Sequence, residues 1–288
     1  MHVSGIVGFS GDGINDAPSI KQADIGVCMG SGTDVSKSAA DIIISTNDYS
    51  TIVLAIEQGR TIFSNIQKVL LFLLSTNMVE VIGIFVAAIA IPNSTFLLPS
   101  QILFVNLVTD SLPAFALGLE KPETDIMQKS PRNPKSTIFA GIGWPILVQG
   151  FIQSLIVLVM FTTCLHAFGN NVASTMVFAC ICLMQIIHAI NCKTLRSITK
   201  INLLSNKTFN ISFVALFALI MLVCLFPPLS SLFSLSALSI MQWSIVFATS
   251  ISIIPIVEIC KYFSNHKFVI SKSFSHSKKR KNNAILNN

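Results

Sequence analysis

Charge is scarce in this sequence. Asp, Glu, Lys and Arg make up 11% of its 288 residues, where a soluble domain carries about 25%. Set beside 52% hydrophobic residues and a mean hydropathy of +0.71, that shortage excludes an ordinary soluble domain and predicts a polytopic membrane protein. The seven cysteines (28, 164, 180, 182, 192, 224 and 260) are odd in number and mostly sit in apolar runs. They lack the spacing of a disulfide framework and, apart from a weak Cys180/Cys182 pair, of metal ligands. Residues 1–20 hold two aspartates and no sufficient apolar core, so no cleavable signal peptide is expected. The net charge of +6 calls for no nucleic acid, because the bases lie beside apolar runs where anionic lipid attracts them.

What is present is a set of apolar runs of membrane-crossing length, about 20 residues each. They read as spans at 68–91, 98–119, 142–166, 173–192, 209–229 and 239–260. All 19 Lys and Arg residues fall before the end of the first span, in the second and fourth connections, or in the last stretch of chain. The intervening PNSTFLLPS, AFGNNVAS and PPLSSLFSLSALS loops contain none. By the positive-inside rule, both ends face the cytoplasm. The domains are then residues 1–65, a soluble beginning and stalk; 66–263, six helices in the bilayer; and 264–288, a basic cytoplasmic tail with SKKRK at 277–281.

The soluble beginning alternates short apolar runs with helix-forming segments. GIVGF (5–9), IGVCM (25–29) and IIIS (42–45) read as strands, with helices over 17–23 and from a Thr33 cap to Ala40. Such alternation predicts a parallel sheet whose ligand loops lie at the strands' carboxyl ends. GDGIND at 11–16 occupies such an end. Gly11 and Gly13 allow close backbone approach, while Asp12 and Asp16 suit a hard cation such as Mg²⁺. Some 60 residues with three strands make half of a domain.

Two carboxylates, Glu80 and Asp110, lie deep in the spans, where a charge costs about 2.5–3.5 kcal/mol or more and defaults to function. Asn77 stands three residues before Glu80; Asn106, Thr109 and Asp110 share a second helix face. Pro113 removes the donor for the Thr109 carbonyl and interrupts the second span there. Broken helices at mid-membrane expose carbonyls to ions, and an all-oxygen set favours Ca²⁺ or a similar hard ion over Zn²⁺ or Cu⁺. Gln185 and His188 in the fourth span read as packing rather than ligands, His188 more so than Gln185.

Three stretches together resemble the C-terminal part of a P-type cation-transporting ATPase of the calcium-pump class. They are GDGINDAPSIKQADIGVCMGSGTDVSKSAADIII, EQGRTIFSNIQKVLLFLLSTNMVEV and QILFVNLVTDSLPAFALGLEKPETDIMQKSPR. The resemblance implies a partial haloacid-dehalogenase-like phosphorylation domain followed by six spans. It implies that Asp12 is the catalytic Mg²⁺ ligand and that Asn15 and Asp16 line the phosphorylation pocket with Gly11 and Gly13. It further implies that Asn77, Glu80, Asn106, Thr109 and Asp110 hold the transported Ca²⁺, with Mn²⁺ as the alternative cargo. Gln185 stands where two-site pumps carry a glutamate, which implies one transport site. The implied whole is an ATP-driven, Mg²⁺-dependent exporter in the plasma membrane.

The sequence also departs from that family. No DKTG string occurs among the 288 residues, and the nucleotide-binding and actuator domains and first four spans have no counterpart. No lysine precedes the GDG loop, and Ser10 stands where threonine is usual. These departures predict a chain inactive toward ATP by itself. The alternatives are an inactive remnant, a non-enzymatic cation-binding membrane protein, or one half of a split pump that assembles with a separate N-terminal chain.

Overall fold

A computed structural model describes residues 6–262 apart from 134, 196 and 201; the basic tail expected over 264–288 lies outside the described residues. The chain divides into two compact units, one holding the residues up to Phe63 together with 122–137, the other 64–121 and the residues from Ile138 on.

The first unit is a three-stranded parallel sheet in the order β1-β2-β3, with β1 Gly8–Gly11, β2 Ile25–Met29 and β3 Ile42–Ile44. Ser10 stands opposite Val27, and Val27 opposite Ile42. Parallel strands need crossovers, and the two here are α1 (Ala17–Gln22) and α2 (Asp34–Ala39). Pro18 suits the first turn of α1 because its missing N–H is an orphan there anyway. Thr33 caps α2 by accepting from the Ser36 N–H at 3.3 Å, and Asp34 sits in the first turn. Val27, Met29, Ile44 and Ile52 form the small core of this unit.

The first strand begins later than the apolar run GIVGF suggests, taking in Ser10 and Gly11. Backbone pairing with β2 decides this, since any residue with a free N–H and C=O can extend a ladder. Residues 122–137 join this unit through Arg60, whose guanidinium donates to the carbonyls of Ile126 at 3.0 Å and Lys129 at 2.7 Å. The Arg132 guanidinium lies 4.1 Å from the centre of the Phe63 ring.

Among the described residues, six helices are long and apolar enough to cross a membrane. The first, α3 (Ser50–Ala90), runs unbroken for 41 residues, so stalk and span are one element. The second span is built of α4 (Pro99–Phe104), a π-helical turn over Val105–Thr109, and α5 (Ser111–Gly118). Then follow α6 (Gly143–Phe168), α7 (Asn170–Cys192), α8 (Lys207–Leu225), the short α9 (Pro227–Leu232) and α10 (Ile240–Ile251), whose span continues to Tyr262.

In the second unit α7 is the central helix, with α5, α6, α8 and α10 against it. Nearly every side chain from Ala173 to Cys192 is buried. The lipid-length helices around it keep large apolar residues exposed, among them Phe85, Leu107, Phe115, Leu147 and Val214. An integral multi-pass membrane protein accounts for both facts. On α6, Gly150 lets α3 approach closely, because a Cβ there would meet the Met78 side chain at 2.7 Å. Ser154, one turn on, donates to the Met78 carbonyl at 3.1 Å.

A buried polar knot joins the ends of several helices. The Glu120 carboxylate accepts from Asn206 Nδ2 at 3.0 Å and lies 3.8 Å from the Lys193 ammonium. Lys193 also donates to the Leu203 carbonyl at 2.7 Å and sits 4.6 Å from the Phe209 ring centre. Burial holds the Lys193 ammonium below the usual lysine range, with Glu120 opposing that shift.

Candidate functional site

The first group of candidate residues follows β1. Asp16 folds back over its own loop, its Oδ2 accepting from the N–H groups of Asp12 at 3.2 Å and Gly13 at 3.0 Å. Gly11 is needed for that turn, since a Cβ there would lie 2.5 Å from the Asp16 Cβ. The N-terminal end of α2 pins the loop from the other side. Ser36 Oγ donates to the Gly13 carbonyl at 2.6 Å, and the Thr33 N–H to the Asp12 carbonyl at 2.9 Å. Asp16 is thus committed to shaping the loop, while Asp12 and Asn15 stand exposed. No cluster of three or more His, Cys, Asp or Glu groups occurs among the described residues. One exposed carboxylate on a fixed backbone fits Mg²⁺, which keeps several waters and takes one or two carboxylates from a protein.

The second group lies in the spans of the second unit. Glu80 on α3 is 4% exposed and Asp110 on the second span 2%. Glu80 Oε2 accepts from Asn106 Nδ2 at 2.7 Å, and its Oε1 from Gln185 Nε2 at 3.4 Å. The Thr109 hydroxyl donates to Gln185 Oε1 at 2.6 Å and to the Val105 carbonyl at 2.7 Å. Among the described residues neither oxygen of Asp110 has a hydrogen-bond partner, although both are buried. That carboxylate faces Glu80 and the Thr76 hydroxyl.

The backbone explains how Asn106, Thr109 and Asp110 come together. Within the π turn the Asp110 N–H reaches the Val105 carbonyl, five residues back, at 3.1 Å. Pro113 has no N–H for the Thr109 carbonyl, so regular α-helix resumes only beyond this point, with Ala114 N–H on the Asp110 carbonyl at 3.1 Å. Turns of this kind concentrate at functional sites.

Of the residues singled out from sequence, Glu80, Asn106, Thr109 and Asp110 form one cluster. Asn77 lies on α3 one turn before Glu80 but donates to the Leu73 carbonyl of its own helix at 2.7 Å. Gln185 bridges Glu80 and Thr109. Thr76 was overlooked, although its place four residues before Glu80 puts both on one helix face. His188 sits apart, its Nε2 3.0 Å from the Ser75 hydroxyl. Glu258, near the end of the last span, anchors a connection, accepting from Ser197 Oγ and the Ile198 N–H and pairing with Lys261 at 3.0 Å.

Two neighbouring buried carboxylates, one of them without a hydrogen-bond partner among the described residues, are costly in apolar surroundings unless a cation joins them. The cluster is all oxygen and nitrogen amide chemistry with no thiolate or imidazole, which suits a hard cation.

The family described as cation transporting ATPase, C-terminus, matches residues 94–263, and haloacid dehalogenase-like hydrolase matches residues 7–56. A calcium-transporting ATPase of Bacillus subtilis is 39% identical over 250 residues, covering 85% of this chain and 28% of that protein. Calcium-transporting ATPase 1 of Bacillus cereus is 39% identical over 273 residues, covering 88% of this chain and 30% of that protein. The endoplasmic reticulum calcium ATPase srcA of Aspergillus fumigatus is 33% identical over 300 residues, covering 92% and 31%. The chain therefore spans less than a third of the length of these relatives. With that family's profile matching more than half of its length, the chain belongs to the cation-transporting ATPase C-terminus family.

Proposed function

We propose that this chain is the C-terminal portion of an ATP-driven pump that exports Ca²⁺ from the cytoplasm, with both ends of the chain on the cytoplasmic side of the plasma membrane. The observation that carries the reading is the Asp110 carboxylate, buried beside Glu80 with no hydrogen-bond partner among the described residues, where the second span leaves α-helical geometry. Ca²⁺ takes about 6–8 oxygens at about 2.3–2.6 Å. Glu80, Asn106, Thr109 and Asp110 supply oxygens from two spans, Asn77 a further one after a side-chain turn, and water or the rest of the pump the remainder. Gln185 brings no charge and positions Glu80 and Thr109 through its two hydrogen bonds, in keeping with one ion per cycle. Mn²⁺ shares the preference for oxygen and is the competing cargo.

Asp12, with Asn15 and the backbone shaped by Gly11, Gly13 and Asp16, would hold Mg²⁺ at the phosphoryl-transfer site. When bound, Mg²⁺ neutralises charge on the transferring phosphoryl group. The residues of this chain supply the loop and no phosphorylated aspartate, so the chain by itself forms no acyl-phosphate. Incubation with labelled ATP and Ca²⁺ tests this. The account predicts no acid-stable, hydroxylamine-sensitive label on the isolated chain. It predicts Ca²⁺-dependent label once the chain is combined with the unmatched upstream part of the Bacillus subtilis relative. Label on the isolated chain contradicts it.

A further inference from the structure

His188 is wholly buried and makes no contact with the cation cluster, yet its bond to α3 lies beside that cluster. Ser75 and His188 are both 0% exposed, and Ser75 Oγ stands 3.0 Å from His188 Nε2. The Ser75 hydroxyl hydrogen goes to its own helix, where the Leu71 carbonyl lies at 2.6 Å and the Phe72 carbonyl at 3.1 Å. Its oxygen is left to accept, so Nε2 carries the ring proton and donates. Cys192 Sγ, 3.4 Å from the same nitrogen, is a weaker partner. Nδ1 is then the unprotonated nitrogen, and it has no partner among the described residues. The Phe72 ring stacks on the imidazole with 6.4 Å between centroids.

Two polar pairs reach from α7 to α3, Ser75 with His188 and Glu80 with Gln185. Ser75 precedes Glu80 on α3, and His188 follows Gln185 on α7, as antiparallel helices require. Apolar clusters flank the first pair along both helices. Leu71, Phe72, Ala189 and Cys192 belong to one cluster, Val79 and Ile186 to the other. Apolar contacts tolerate sliding and rotation, whereas a buried polar pair can specify register. Ser75 is also the neighbour of Thr76, whose hydroxyl faces Asp110. We infer that His188 is a positioning residue for the cation site. Its Nε2–H, donated to Ser75, holds α3 in the rotation that presents Thr76 to Asp110 and Glu80 to Gln185. What the site binds rests on the pump reading; the hold on α3 rests on the helix geometry.

The test compares variants in the full chain and in the pump assembled with the unmatched upstream part of the Bacillus subtilis relative. His188→Leu fills the site without a donor, whereas His188→Gln keeps an N–H at the reach of Nε2. In the assembled pump, His188→Leu and Ser75→Ala should each raise the Ca²⁺ concentration for half-maximal phosphorylation about fivefold. The level reached at saturating Ca²⁺ should hold. The double variant should be no worse than either single one, and His188→Gln should recover most of the loss. A wild-type Ca²⁺ response in His188→Leu overturns the inference, as do additive losses in the double variant or no recovery in His188→Gln. In the full chain alone, in detergent, His188→Leu and Ser75→Ala should lower the unfolding temperature non-additively; additive shifts overturn the inference there too. If the wild-type assembly shows no Ca²⁺-dependent phosphorylation, the pump reading falls, and the chain alone still decides whether His188 and Ser75 are coupled.

Discussion

Asp110 and Gln185 make opposite demands on the same site. Asp110→Asn removes a buried charge that has no hydrogen-bond partner among the described residues, so the calcium-free chain should hold or raise its unfolding temperature while the assembled pump loses Ca²⁺-dependent phosphorylation. That pairing of gained stability with lost activity marks a functional site; a fall in both would mark Asp110 as structural. Gln185→Ala deletes hydrogen bonds to Glu80 and Thr109. At about 1 kcal/mol net, it should raise the Ca²⁺ concentration for half-maximal phosphorylation about fivefold. Sequence reading found the acids because a carboxylate in an apolar run is conspicuous. It could not tell whether Gln185 packs or bridges, since that depends on which face of α7 meets α3 and the second span. Asn77 was legible as a neighbour of Glu80, but its rotamer, turned to Leu73, was not.

Among the elements, the second span shows how a single imino acid redirects a helix. Pro113 predicts an interruption at Thr109; the structure spreads it upstream over Val105–Thr109 as a π turn. Restoring the missing N–H with Pro113→Ala should let α-helix run through. Helix content should rise in circular dichroism, and Ca²⁺-dependent phosphorylation should fall at least tenfold. Unchanged phosphorylation would detach the turn from function. The sheet strands and their caps were readable because local pattern and capping agree; the 25–29 strand falls where IGVCM places it. The joining of residues 122–137 to the soluble unit was not readable, because Arg60 reaches carbonyls 66 and 69 residues away. At the helix ends, Glu120→Gln leaves the Lys193 ammonium buried without its counter-charge. It should cost up to about 3 kcal/mol, seen as a lower denaturation midpoint.

For the molecule as a whole, the six-span order and the run of bases along the chain predict an orientation that labelling can check. Cysteines placed at Asn93 and Asn170 should react from outside, and one at Lys129 only from the cytoplasm; the reverse pattern would invert the proposed export direction. The central claim is that Glu80 and Asp110 hold one transported Ca²⁺ between α3 and the second span. It is tested most directly by equilibrium binding of labelled Ca²⁺ to the chain assembled with the upstream part of the Bacillus subtilis relative. The account predicts about one ion per chain, lost in both Glu80→Gln and Asp110→Asn; wild-type binding by both variants would contradict it.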